Sequence, residues 1–210
     1  MRTYAYIDAS NLFYGGKGSL GWSVDFEKLY QYLVDRFQVS RVLYFGGVEI
    51  HKFPFDYLTN ETVPLEDLEK YLVKHVEENK KTLSNAKLVL LDRHLKQVHF
   101  YQKLEKFGYQ LILKPVKLYV DEDGSQKRKA NCDVEMAFYL MRDRNAFERV
   151  LILSGDGDFL PVLKHLREAK KEVLILARGR RTAKEIRRFA GDKFMDFTHN
   201  LRSRLERIAQ

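Results

Sequence analysis

A single cysteine, Cys132, in 210 residues excludes an intramolecular disulfide framework, and the reducing compartment this suggests makes a cytoplasmic location the expectation. No apolar run approaches the roughly 18 residues that a membrane helix needs, so no membrane partner is expected. The N-terminal MRTYAYID runs straight into a strand-like pattern, which reads against a signal peptide. There is no internal repeat, low-complexity segment or interdomain linker. The histidines show neither i,i+4 nor HExxH spacing, which speaks against zinc chemistry. The G-x-S-x-G of a serine hydrolase is missing as well.

What is present is ordinary for a folded chain. Apolar residues make up 45% and charged residues 31%, a balance that excludes a disordered or collagenous polypeptide. The length predicts one domain, with a core large enough to fold without staples. The net charge of +8 is unevenly placed: residues 164–210 hold 14 Lys and Arg against 6 Asp and Glu, while residues 1–163 hold 23 of each. A basic block beside a neutral body suits a polyanion, because phosphate neutralisation dominates nucleic-acid affinity. A solvated helix face accounts for it equally well.

Short apolar runs alternate with amphipathic stretches along the chain. Strands are predicted over 2–7, 41–48, 109–120, 149–153, 173–177 and 194–197. Helices are predicted over 25–37, from Pro64 onward, and over 96–107, 132–145, 159–169, 182–190 and 200–208. Residues 9–22 and 121–129 read as loops, the second with a hairpin turn at DEDG, and 87–91 fits strand and helix alike. Pro64 opens a stripe of Leu65, Leu68, Leu72 and Val76. Gly108 takes the C′ position after a helix, and Thr182 with Glu185 forms a capping box. Strand interiors such as VLYF and VLILA are almost wholly apolar, as expected when both faces are covered. The fold class is therefore α/β, a three-layer α/β/α sandwich with a mostly parallel central sheet. A single domain is expected over 1–198, with a helical insertion at about 51–95, and a C-terminal helix, 199–210, packed on it.

Sites in such sheets form beyond the C-terminal ends of the strands. The first strand ends on Asp8, and the fourth on Ser154-Gly155-Asp156-Gly157-Asp158. Asp133 shares a helical stripe with Ala137 and Leu140, so it lies on the sheet-facing side at the helix start. Each acid has a plain structural reading: Asp8 and Asp133 as caps, Asp156 in a tight turn, Asp158 capping the helix that follows. Only their conjunction at one sheet edge points to chemistry. Four converging carboxylates repel one another unless a cation neutralises them, and an oxygen-only set suits Mg²⁺ or Mn²⁺. Such an ion can turn water into a nucleophile and stabilise charge on a phosphodiester. Asn11, three residues after Asp8, could hold the loop or bind a metal water or phosphate. Ser154 could orient Asp156 or bind phosphate.

The succession of YIDASN, KANCDVEMA and LILSGDGDFLPVLKHLREAKKEVLIL resembles the NYN domain family, relatives of the PIN nucleases. The resemblance covers nearly all of the chain apart from 51–95. It implies a PIN-like sandwich and metal-dependent endoribonuclease activity. By position, Asp8, Asp133, Asp156 and Asp158 match the family's catalytic and metal-binding acids. Asn11 matches the Asn of the first motif, Ser154 the Ser before GDGD, and Lys129 the Lys ahead of Asp133. Ala130 stands where the family commonly has Gly, and Ala137-Phe138-Tyr139 lies where many relatives carry a further acid.

The leading expectation is an Mg²⁺- or Mn²⁺-dependent endoribonuclease. Its partner would be RNA, single-stranded rather than duplex, because an unstacked backbone bends more readily into an acidic pocket. Arg178, Arg180 and Arg181, followed by Lys184, Arg187 and Arg188, come after the fifth strand beyond the same sheet edge and suit phosphate. Phe13, Tyr14 and Trp22 could stack bases or serve loop packing. The alternative is a non-cleaving RNA-binding regulatory module that uses the basic C-terminal face. A haloacid-dehalogenase-like phosphatase would need an acid two residues after Asp8, where Ser10 stands. The oligomeric state is open, a homodimer included.

Overall fold

A computed structural model of the chain describes residues 1–13, 20–120 and 126–207. It forms two compact units, one of Met1–Phe45, Phe107–Gln110 and Cys132–Gln210, the other of Gly46–Lys106 and Leu111–Asn131.

The first unit is built around β1 (Thr3–Asp8), which pairs in parallel with β2 (Val39–Val48) and with β6 (Arg149–Leu153). β7 (Glu172–Ala177) pairs in parallel with β6, and β8 (Phe194–Asp196) with β7. With β3 (Tyr109–Pro115) at the other edge, the sheet order is β3-β2-β1-β6-β7-β8. Consecutive residues Ala5, Tyr6 and Ile7 are all fully buried, so both faces of β1 are covered. The fold is the three-layer α/β/α sandwich with a mostly parallel sheet that the apolar strand interiors imply.

Local chemistry sets the helices of this unit. The first is a short one, α1 (Ala9–Phe13), in place of the loop expected there. Asp8 Oδ1 accepts the Asn11 N–H at 3.0 Å, a capping bond that starts a helix where the strand ends. Asp25 caps α2 (Phe26–Phe37) by accepting from Glu27 and Lys28, and Gln38 ends it in the left-handed conformation at φ 54°. After Thr182 the expected capping box does not form. The Thr182 hydroxyl donates to the Arg178 carbonyl at 2.8 Å instead, and the helix begins only at Lys184. Among the described residues, the helix predicted over 200–208 is replaced by two short turns of helix, Phe197–Asn200 and Arg202–Leu205.

The second unit holds α3 (Leu65–Asn79) and most of α4 (Asn85–Phe107), with Leu65, Leu68 and Leu72 buried on α3 and Leu91, Val98 and Leu104 on α4. The ambiguous 87–91 stretch is thus helical. The single strand expected over 109–120 breaks after Pro115. Its second part, β4 (Lys117–Val120), turns into an antiparallel pair with β5 (Gln126–Lys129). The DEDG turn falls on residues 121–124, outside the described residues.

Ala130, the departure from the family's usual glycine, is accommodated by Gly47. A Cβ at Gly47 would stand 2.5 Å from the Ala130 Cβ and 3.1 Å from Val116 Cγ2. Gly47→Ala is therefore expected to destabilise the protein by about 1–3 kcal/mol in chemical denaturation. Adding Ala130→Gly should recover most of that loss, and a double variant no more stable than Gly47→Ala would refute this steric account.

Candidate metal centre

The pairing of β1 with β6 sets Ile7 opposite Leu153. Asp8 and Ser154, the next residue on each strand, therefore leave the sheet level with one another. Asp8 is 4% exposed. Its Oδ1 accepts the Ser10 hydroxyl at 2.7 Å and the Asn11 N–H at 3.0 Å, and its Oδ2 accepts the Ser154 hydroxyl at 2.9 Å. Three donors thus hold a buried carboxylate in one orientation.

Asp133 is the first residue of α5 (Asp133–Arg142), a helix that packs against β1. It stands at the positive end of the helix dipole, which favours a carboxylate there. The cap position belongs to Cys132, which makes no side-chain capping bond. Asp156 lies on the loop after β6. Its N–H donates to Ser154 Oγ at 3.2 Å, so the Ser154 hydroxyl serves both acids. Asn11 Oδ1 accepts the Gly155 N–H at 2.9 Å and ties α1 to the same loop. Gly155 is needed because Thr182 Cα would stand 2.8 Å from any Cβ there, and the Ala183 N–H donates to the Gly155 carbonyl.

Asp8, Asp133 and Asp156 each present a carboxylate oxygen, and these oxygens all lie within 4.8 Å of one another. Three acids from segments remote in sequence are therefore gathered at one point. Asp158 is exposed and stands outside this trio, and its N–H donates to Asp156 Oδ1 at 3.0 Å. The donor set consists of oxygen alone, without His or Cys. That fits a hard divalent ion such as Mg²⁺ or Mn²⁺ and relieves the mutual repulsion of the carboxylates.

The basic residues divide. Arg180 and Arg181 are exposed, whereas Arg178 is 5% exposed, and burial, with Arg181 adding to it, pulls its guanidinium below the usual range. Lys129 belongs to the second unit, on β5. Of the loop aromatics, Trp22 is buried and stacks on Phe197 at 5.7 Å, and Phe13 packs edge-on to Phe26 at 4.9 Å. These two serve packing, not base stacking, and Tyr14 lies outside the described residues. Sequence reasoning missed the part of Ser10. A hydroxyl two residues past a strand-end acid was the available signal.

The fold and the acid cluster together define an α/β protein with a carboxylate cluster at the C-terminal edge of its sheet. Residues 69–199 match the NYN domain family model, and the chain belongs to that family. Asp133 and Asp156 lie inside the matched stretch, and Asp8 lies ahead of it. Over 110 residues the chain is 26% identical to the low amplitude and bright protein LabA of Synechococcus elongatus. That alignment covers 51% of this chain and 58% of LabA, so the chain spans little more than half of that curated relative. Among solved structures, a protein of unknown function from Vibrio parahaemolyticus shares the fold with a TM-score of 0.55 and 18% identity, covering 93% of this chain and 91% of that one. T5 D15 protein, co-crystallised with metal ions, gives a TM-score of 0.45 at 14% identity, over 89% of this chain and 59% of that one.

Because one hydroxyl supports two acids, Ser154→Ala is expected to weaken Mn²⁺ binding about 10- to 100-fold in calorimetric titration, as loss of a supporting shell does elsewhere. Unchanged affinity would show that the trio needs no such support.

Proposed function

We propose that this protein is a divalent-metal-dependent endoribonuclease that hydrolyses phosphodiester bonds of single-stranded RNA. One observation carries the reading: the convergence of Asp8, Asp133 and Asp156 within 4.8 Å at the C-terminal edge of a parallel sheet. Capping and turn roles account for each acid singly, but they do not predict a meeting of all three. Membership of the NYN family, whose domains generally bind nucleic acid, favours the same class of substrate.

Asp8, Asp133 and Asp156 would hold Mg²⁺ or Mn²⁺. The ion, when bound, supplies electrophilic assistance to the phosphoryl group and makes water more acidic. Asp8 is kept in place by Ser10, Asn11 and Ser154 and so keeps its ligand geometry as substrate enters. Asp158, facing solvent, is assigned to water or to the leaving strand rather than to primary ligation. Arg180 and Arg181, with the exposed Lys184, Arg187 and Arg188 that follow, supply cations for the RNA backbone. Arg178, being buried, supports that segment instead. Among the described residues no helix is long and apolar enough to cross a membrane, and a cytoplasmic site of action is part of the proposal.

The test is a labelled single-stranded RNA incubated with the protein and Mg²⁺ or Mn²⁺, beside a DNA strand of the same sequence. Internal fragments are expected from RNA and should vanish with EDTA. Asp156→Asn should lower the cleavage rate at least about 100-fold while the fold is kept, since Asn still offers an acceptor to the Asp158 N–H. RNA that shifts on a gel but stays intact would favour the binding-only alternative. Cleavage at full rate by Asp156→Asn would end the proposal.

A further inference from the structure

The helix that begins with Asp133 carries an unusual outer face. On α5 the exposed residues are Val134, Phe138 and Arg142, spaced i, i+4 and i+8 along one stripe. Val134 is 76% exposed and Phe138 57%. Other helices of the same unit show solvent a charged face: Glu27, Lys28, Gln31, Asp35 and Arg36 on α2, and Lys184, Glu185, Arg187 and Arg188 after Thr182. An apolar and aromatic stripe held in solvent on the helix that carries the acid site calls for an occupant.

We propose that this stripe is a stacking platform for an unpaired nucleobase of the strand whose backbone reaches the acid trio, a proposal that rests on the nucleic-acid reading above. Three observations select this occupant. Val134 is the next residue after Asp133, so the stripe starts level with the trio. Helical side chains lean toward the N-terminus, which brings the Phe138 ring back toward the end of the helix where Asp133 stands. The stripe also ends in positive charge. Arg142 lies over the Tyr139 ring at 3.8 Å and 6.0 Å from the Phe138 ring, and its Nε and Nη2 bond Asp143. Arg41 Nη1 stands 3.7 Å from the same carboxylate, so two guanidiniums share one acid and a net positive charge remains for a phosphate. An apolar ring on the outer face of the helix that carries Asp133 and a cation at the far end of the stripe together match one nucleotide's base and backbone.

The test is binding of the full chain to a short labelled single-stranded RNA in EDTA, where cleavage does not interfere. Phe138→Ala should weaken binding about 5- to 100-fold, Phe138→Trp should restore it, and Phe138→Leu should not. The slope of affinity against salt should stay unchanged in these variants, whereas Arg180→Ala should reduce it. Abasic substitutions scanned along the RNA should find a position that matters to the natural protein and costs Phe138→Ala nothing more. Natural affinity in both Phe138→Ala and Phe138→Leu would overturn the platform. So would a change of oligomeric state on sedimentation with RNA affinity kept, which would assign the stripe to a second copy of the chain. Because binding is read without metal, a silent Phe138→Ala beside intact cleavage removes the platform alone. Loss of binding in Phe138→Ala by a protein that never cleaves RNA removes the hydrolysis reading alone.

Discussion

A carboxylate buried at the end of the central strand is the constraint on which the candidate centre depends. Asp8 is removed from water yet faces two further acids. Hydrogen bonds from Ser10, Asn11 and Ser154 hold it in place. This places the protein between two costs, an isolated buried charge and an unneutralised acid cluster. A hard cation resolves both at once, and its binding would add to the stability of the fold by mass action.

Strand register turns that local chemistry into a site. Because side chains alternate across a strand, a slip of one residue between β1 and β6 would turn Asp8 to the other face and separate it from Ser154. The register is held by apolar burial on both faces, with Ala5, Tyr6 and Ile7 on β1 opposite Leu151, Ile152 and Leu153 on β6. One buried polar network reinforces it. The Tyr6 hydroxyl donates to Asp143 at 3.1 Å, and burial, then the Asp143 charge, keeps that hydroxyl protonated. The hydrophobic core therefore positions the acids as directly as their own hydrogen bonds do.

The strands were legible in the sequence because parallel strands covered on both faces are continuous apolar runs, and VLYF, LIL and VLIL have no other comfortable place. Asp8, Asp133 and Asp156 were legible because each sits where a strand ends or a helix starts. Three features were not legible, each for a physical reason. Ala9–Phe13 is too short to show a helical period, and its start depends on a carboxylate that also serves the site. Thr182 and Glu185 have capping-box spacing, but the Arg178 carbonyl competes for the hydroxyl and wins. Exposure on α5 could not be read from residue type. Phe138, on a regular helix, is exposed, whereas Trp22, in a glycine-rich loop, is buried.

The capping and ligand readings of these acids do not compete, as a count of lone pairs shows. A carboxylate offers about four acceptor positions on its two oxygens. On Asp8, Oδ1 takes two donors and Oδ2 takes one, which leaves a position on Oδ2. On Asp156, Oδ1 accepts the Asp158 N–H and starts the turn Gly157–Phe159, and the carboxylate has acceptor capacity beyond that bond. The acids thus start helices and turns with part of their capacity and keep the remainder for the cluster. Structural work by one oxygen fixes where the other points, so the residues that begin α1 and the turn after β6 are also those best placed to ligate.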